Sequence, residues 1–149
     1  MVKKQNDMTQ EDKDLLYSDL CARLPYGVMV REDTVLYDDK NTTSYRVKKL
    51  NYVLIGKGFS RIKGFIHDYE YIYKPYLFPM SSMTEEQKQD YSCIVNYLSP
   101  DDTDNWKEGE FVYVDQMSQL MHFFYRNHLD FRGFIEQDLA IDATGLKIY

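Results

Sequence analysis

The chain has 149 residues, 44% hydrophobic and 28% charged, with a net charge of −6. That length suits one domain able to bury roughly two thirds of the surface its unfolded form exposes, so neither a metal nor a disulfide is required to hold it, and the acidic balance argues against general polyanion binding. Apolar runs stay short, as at 52–55 and 123–125, which predicts no membrane span. Residues 1–7 carry charge with no apolar stretch behind them, unlike a secretory signal; they read as a disordered tail before a single domain over 8–149, and the chain reads as cytoplasmic.

The first predicted element is a helix over 9–24. Thr9 with Asp12 resembles a capping box, Glu11, Asp12 and Asp14 suit the helix dipole, and Leu16, Leu20 and Leu24 repeat every fourth position, with Leu15 and Cys21 widening the stripe. Pro25-Tyr26-Gly27 ends it. Between 27 and 73 the apolar period changes to two, giving candidate strands at 28–31, 34–37, 44–47, 50–55, 59–66 and 69–73. Their separators are Glu32-Asp33, residues 38–43, Gly56-Lys57-Gly58 and His67-Asp68. Strands this short and closely spaced predict a small curved antiparallel sheet or partial barrel. Pro75 and Pro79 are expected to stop the last of them and hand the chain to a helix.

That second helix is predicted over 84–98, capped by Ser82 with Glu85 or by Thr84 with Gln87, and buried through Tyr91, Ile94, Val95 and Leu98. An acidic loop over 101–110, a brief strand at 111–114 and a third helix with Asp115 as N-cap follow. Met117, Leu120, Met121, Phe124 and His128 are expected on one face of that helix. The tail from 129 to 149 is expected to pack back onto the domain. Cys21 and Cys93 have no Cys-x-x-Cys partner and read as small buried thiols.

Three groups of residues carry candidate chemistry. Tyr69, Tyr71 and Tyr73 alternate on one strand face, and with Tyr76 and Phe78 they could form an adhesive aromatic surface for a protein partner. Half-buried strand tyrosines are the plainer reading. Residues 41–66 contain no Asp or Glu, while Arg46, Lys48, Lys49, Lys57, Arg61 and Lys63 add six positive charges, leaving the rest of the chain at −12 against −6 overall. A basic sheet face with interleaved rings is a way to hold single-stranded nucleic acid, whereas a solvated face over core aromatics is the bland alternative. Finally, His128, Asp130 and Arg132 bring a base, an acid and a cation together, the one place for acid/base catalysis if the chain has it. The alternative is a helix end in which His128 meets the dipole and Gly133 makes a turn.

No other motif rises above turn chemistry. His122 and His128 are six apart and lie on different helix faces, so no metal spacing emerges and no metal or other cofactor is expected. Residues 101–105 resemble a calcium loop only in their aspartates, because Trp106 stands where the glycine is required.

Leu20-Cys21-Ala22-Arg23-Leu24-Pro25-Tyr26-Gly27-Val28, the stretch from Lys74-Pro75-Tyr76-Leu77 through Met83-Thr84-Glu85-Glu86, and His128-Leu129-Asp130-Phe131-Arg132-Gly133-Phe134-Ile135 resemble three blocks of a group of uncharacterised small proteins from gut Bacteroidales and their phages or integrated elements. The resemblance implies a mobile-element or phage-associated accessory protein, and it brings no activity or functional residues with it. The expectation is therefore an α+β domain, about three helices on a small curved sheet. Its leading function is a non-catalytic protein-interaction module, with nucleic-acid binding through 46–63 second and a small hydrolase or transferase near His128 third.

Overall fold

A computed structural model describes residues 8–39, 41–96 and 106–149, with side chains described for all of these save 106–115. Helix α1 (Gln10–Arg23) starts as the sequence predicts. Thr9 Oγ1 accepts from Asp12 N–H and Thr9 N–H donates to Asp12 Oδ2, which satisfies two orphan donors reciprocally. Leu16 and Leu20 are buried, and Asp19 and Arg23 complete the face at the same spacing. Leu15 and Cys21 are exposed, so the buried stripe is narrower than its apolar residues suggest. Cys93 is exposed as well, which corrects the expectation of two buried thiols: each stands beside the packed face of its helix.

A 3₁₀ turn over Leu24–Tyr26 stops α1, and Gly27 follows at φ +70° with its N–H donating to Leu24 O. A Cβ there would come within 3.0 Å of the Lys49 stem, so position and contact both call for glycine. Strand β1 (Met29–Leu36) is continuous where a turn was expected at Glu32-Asp33. Those acids are partnered within the sheet instead. Glu32 accepts from the Tyr73 hydroxyl at 2.9 Å and meets Lys48 at 3.0 Å, while Asp33 takes both Arg31 Nε and an Arg31 terminal nitrogen.

Strand β2 (Thr42–Lys49) pairs antiparallel with β1, with an irregularity where Val35 meets Thr42 and regular register from Ser44 to Lys49. The run expected as a strand at 50–55 is instead a short helix, α2 (Tyr52–Lys57). Asn51 caps it by accepting from Leu54 N–H, and only Leu54 is buried. Four apolar residues in a row carry no period, so a capping asparagine can decide between strand and helix. The expected strand at 59–66 is irregular, joined to the sheet by bridges from Gly58 to Tyr71 and from Ile62 to Tyr69 and by the Phe59 ring against Tyr73.

Strand β3 (Tyr69–Pro79) is the centre of the sheet and runs straight through Pro75, which pairs with Val30. Proline removes one donor but keeps an extended backbone, so it did not stop the strand as expected; Pro79 does. Helix α3 (Glu85–Asn96) is capped by Thr84 with Gln87, the second of the two predicted boxes. Helix α4 (Trp106–Arg126) absorbs both the expected strand at 111–114 and Asp115, which is interior and not an N-cap. Gln116, Leu120, Phe123 and Phe124 set its packed face, and Met117 points to solvent. This is tertiary packing overriding local β propensity.

Two short strands, β4 (Leu129–Asp130) and β5 (Ile141–Asp142), lie parallel to β3 at Phe78–Pro79 and Tyr76–Leu77. The order is β2-β1-β3-β4, with β5 also on β3, and the sheet is open. The protein is thus α+β with a small mixed sheet. The main core joins Leu16 and Leu20 to Val28, Val30, Leu54, Tyr73, Leu77 and Phe134, and a second cluster gathers α3 and α4 around Phe123, Phe124 and Leu129. The tail packs back, as its apolar residues predict. The predicted tail at 1–7, Leu98 and the aspartates of 101–105 lie outside the described residues.

Candidate interaction surface

The aromatic candidates do not form one exposed row. Register places Tyr71 and Tyr73 on the sheet face of Val30 and Glu32, with Glu70, Ile72 and Lys74 on the other. Tyr73 is 0% exposed, its ring edge-on to Phe59 and its hydroxyl held by Glu32. Burial, reinforced by that carboxylate, drives its phenol pKa up. Tyr76, on the opposite face, is buried too, and Phe78 packs into the second cluster. Tyr69 and Tyr71 are half-exposed like Phe78, and their rings meet edge-on with centroids 5.5 Å apart. The row therefore builds core, since the ends and the middle of an eleven-residue central strand meet different neighbours.

His128, Asp130 and Arg132 are also pulled apart. Asp130 spends both carboxylate oxygens on the N–H groups of Phe134 and Ile135, fixing the turn that sends Phe134 inward. Arg132 reaches Asp19 at 3.1 Å, not Asp130. His128, at φ +53°, lies beyond α4 with its ring stacked on Tyr149 at 3.9 Å. Burial, with the nearby Arg23 charge, holds its pKa down at about 4, so the ring is neutral and makes no ion pair with the helix dipole. Tyr149 is pushed up to about 12, chiefly by burial, while its hydroxyl accepts from Met29 N–H and donates to Tyr76 O. No two of the three candidates bond to each other, so the acid/base reading loses its geometry.

What the sequence missed here is the pair beneath them. Asp19 accepts from Arg23 Nε at 2.6 Å and from Arg132, Arg23 donates onward to Leu129 O, and its guanidinium lies over the Tyr125 and Phe131 rings. Both partners are almost wholly buried. The signal was present: Asp19 and Arg23 share the spacing of the leucine stripe.

The basic segment fares differently. Lys48 is tied to Glu32 and Arg61 to Asp68, with the Arg61 guanidinium over Tyr37. Arg46, Lys49, Lys57 and Lys63 have no ion pair among the described residues. Arg46 and Lys48 share one face of β2, Lys49 lies on the other, and Lys57, Arg61 and Lys63 stand beyond it on α2 and the irregular segment, so the six are not shown on one face.

The chain matches no protein-family model, no curated protein and no solved structure. Its surface must speak for it. Among the described residues, eleven large hydrophobics are exposed, and six of them, Tyr45, Val47, Tyr52, Val53, Phe65 and Ile66, fall within 45–66. This is the same stretch that lacks acids. Strand β2 is exposed along nearly its whole length, and among the described residues no strand pairs with its outer edge. A cleft of about 290 Å³ opens between α1 and the exit of α2, walled by Lys13, Asp14, Tyr17 and Phe59. Its one cation, Lys13, is already paired with Glu70.

Proposed function

We propose that the protein is a non-catalytic interaction module that engages a protein partner through the surface of residues 45–66, acting as a cytoplasmic accessory protein of a phage or integrated element. The observation that carries this reading is the concentration of exposed apolar side chains on the acid-free stretch. Exposed aromatic and basic residues together are the composition favoured where partners are gripped. Isolated surface apolar residues need no explanation, but six within one short stretch do. The resemblance of three sequence blocks to small proteins of gut Bacteroidales and their phages supports the assignment of origin.

Nucleic acid is the second reading, because Tyr45, Tyr52 and Phe65 are exposed on the same stretch of chain as Arg46, Lys57 and Lys63. It is the weaker one. Two of the six cations are already neutralised by Glu32 and Asp68, and the rest of the chain repels phosphate.

A photo-crosslinking residue placed at Tyr45, Tyr52 or Phe65, and at exposed Leu146 as control, tests the reading in bacterial cytosol. Discrete protein adducts from the first three positions and none from 146 are expected. Nuclease-sensitive adducts, or equal labelling at 146, would contradict it.

A further inference from the structure

We infer that the partner contributes an extended strand of alternating acidic and apolar residues, which adds to the sheet along the outer edge of β2. This rests on the reading of 45–66 as a protein-binding surface and names what occupies it. From Ser44 to Lys49 the strand is in regular register with β1. An edge strand in that state presents outward-facing N–H and C=O groups at alternate residues, a template for one further strand.

The side chains on that edge specify the occupant. Arg46 is exposed on the face of Glu32 and is the cation a partner's acid would meet first, while Lys48, half-buried and paired with Glu32 at 3.0 Å, lies beside it. Tyr45 at 65% exposure and Val47 at 44% are on the opposite face, with Lys49 beyond them. The Arg31 guanidinium lies over the Tyr45 ring, 5.5 Å from its centroid. A neighbouring strand sets alternate residues on alternate faces, so its residues on one face meet Arg46 and Lys48 while those on the other meet Tyr45 and Val47. Acidic residues on the first and apolar ones on the second are complementary.

The same arrangement rejects a second copy. Two-fold antiparallel pairing of β2 with itself keeps each face continuous, so the Arg46 and Lys48 rows of the two copies would oppose one another. Like charges opposite each other across strands are destabilising.

The test uses the full chain and three short capped peptides: one alternating Glu with Val and Tyr, the same sequence N-methylated at alternate residues, and one with Lys in place of Glu. Nuclear magnetic resonance titration and amide exchange are followed together. The expected result is that the first peptide binds and slows exchange at alternate β2 amides while the other two do not. Arg46→Glu should weaken binding by roughly two- to fivefold for each opposed pair lost. Equal binding of the N-methylated peptide, or protection away from β2, overturns strand addition. So does a concentration-dependent dimer of the protein alone that involves β2. If no peptide binds while the crosslinks at 45, 52 and 65 persist, strand addition falls and the interaction reading stands; if both fail, that reading falls as well.

Discussion

At the level of single residues, the most consequential group is Asp19, which holds two arginines from opposite ends of the chain. Removing one partner of a buried pair leaves the other charge uncompensated, which costs more than the pair itself contributes. Asp19→Ala should therefore destabilise the fold by about 3–5 kcal/mol, measured by denaturant unfolding. A loss of under about 1 kcal/mol would mean the arginines find water. His128 gives a pH signature. Its folded pKa of about 4 lies below the ordinary 6.5, so the unfolded chain binds the extra proton first. Stability supported by the neutral ring is complete above pH 6.5 and is lost as pH falls toward 4. His128→Gln should remove about 1–2 kcal/mol of that acid sensitivity, allowing for partial exposure of the ring. Identical pH profiles for the two proteins would contradict the neutral assignment. The sequence brought His128, Asp130 and Arg132 together by proximity, yet each answers to a partner elsewhere: Tyr149, the backbone of 134–135, and Asp19. Closeness in sequence near a turn says little about which side chains meet.

At the level of elements, capping chemistry was the most legible signal. Thr9 with Asp12 and Thr84 with Gln87 form the reciprocal bonds their spacing implies, because a cap is decided within one turn. Periodicity misled where runs were short. Residues 50–55 and 111–114 have strand composition, but one is started as a helix by Asn51 and the other lies inside a helix whose register is set downstream. The Glu32-Asp33 and Pro75 breaks were also misread, since the partners that keep those strands extended come from other parts of the chain. Gly58 shows how closely the irregular segment sits on β3: a Cβ there would stand 2.7 Å from the Tyr73 ring. Gly58→Ala should cost about 1–3 kcal/mol through displacement of that ring, with the loss of stability read by thermal unfolding. An unchanged melting temperature would show that the segment can lift away.

At the level of the whole molecule, charge and apolar exposure are arranged together. Among the described residues, ten tyrosines and phenylalanines are buried or packed against the core clusters, four of them from the row at 69–78, which is why that row was a poor guide to the surface. The stretch at 41–66 was legible as basic from the sequence. Its exposed Tyr45, Val47, Tyr52 and Val53 were not, because alternation assigns faces without saying which face is covered. No helix among the described residues is long and apolar enough to cross a membrane. What distinguishes a protein-binding from a nucleic-acid-binding surface here is the dependence on backbone pairing and on salt.

The direct comparison is to titrate one preparation with a labelled single-stranded oligonucleotide and with the labelled alternating acidic peptide, across a salt series, alongside an Arg46→Ala, Lys57→Ala, Lys63→Ala variant. Peptide binding and no oligonucleotide binding, even at low salt, are expected. Oligonucleotide binding that weakens steeply with salt and disappears in the variant, with no response to the peptide, would contradict the protein-binding reading.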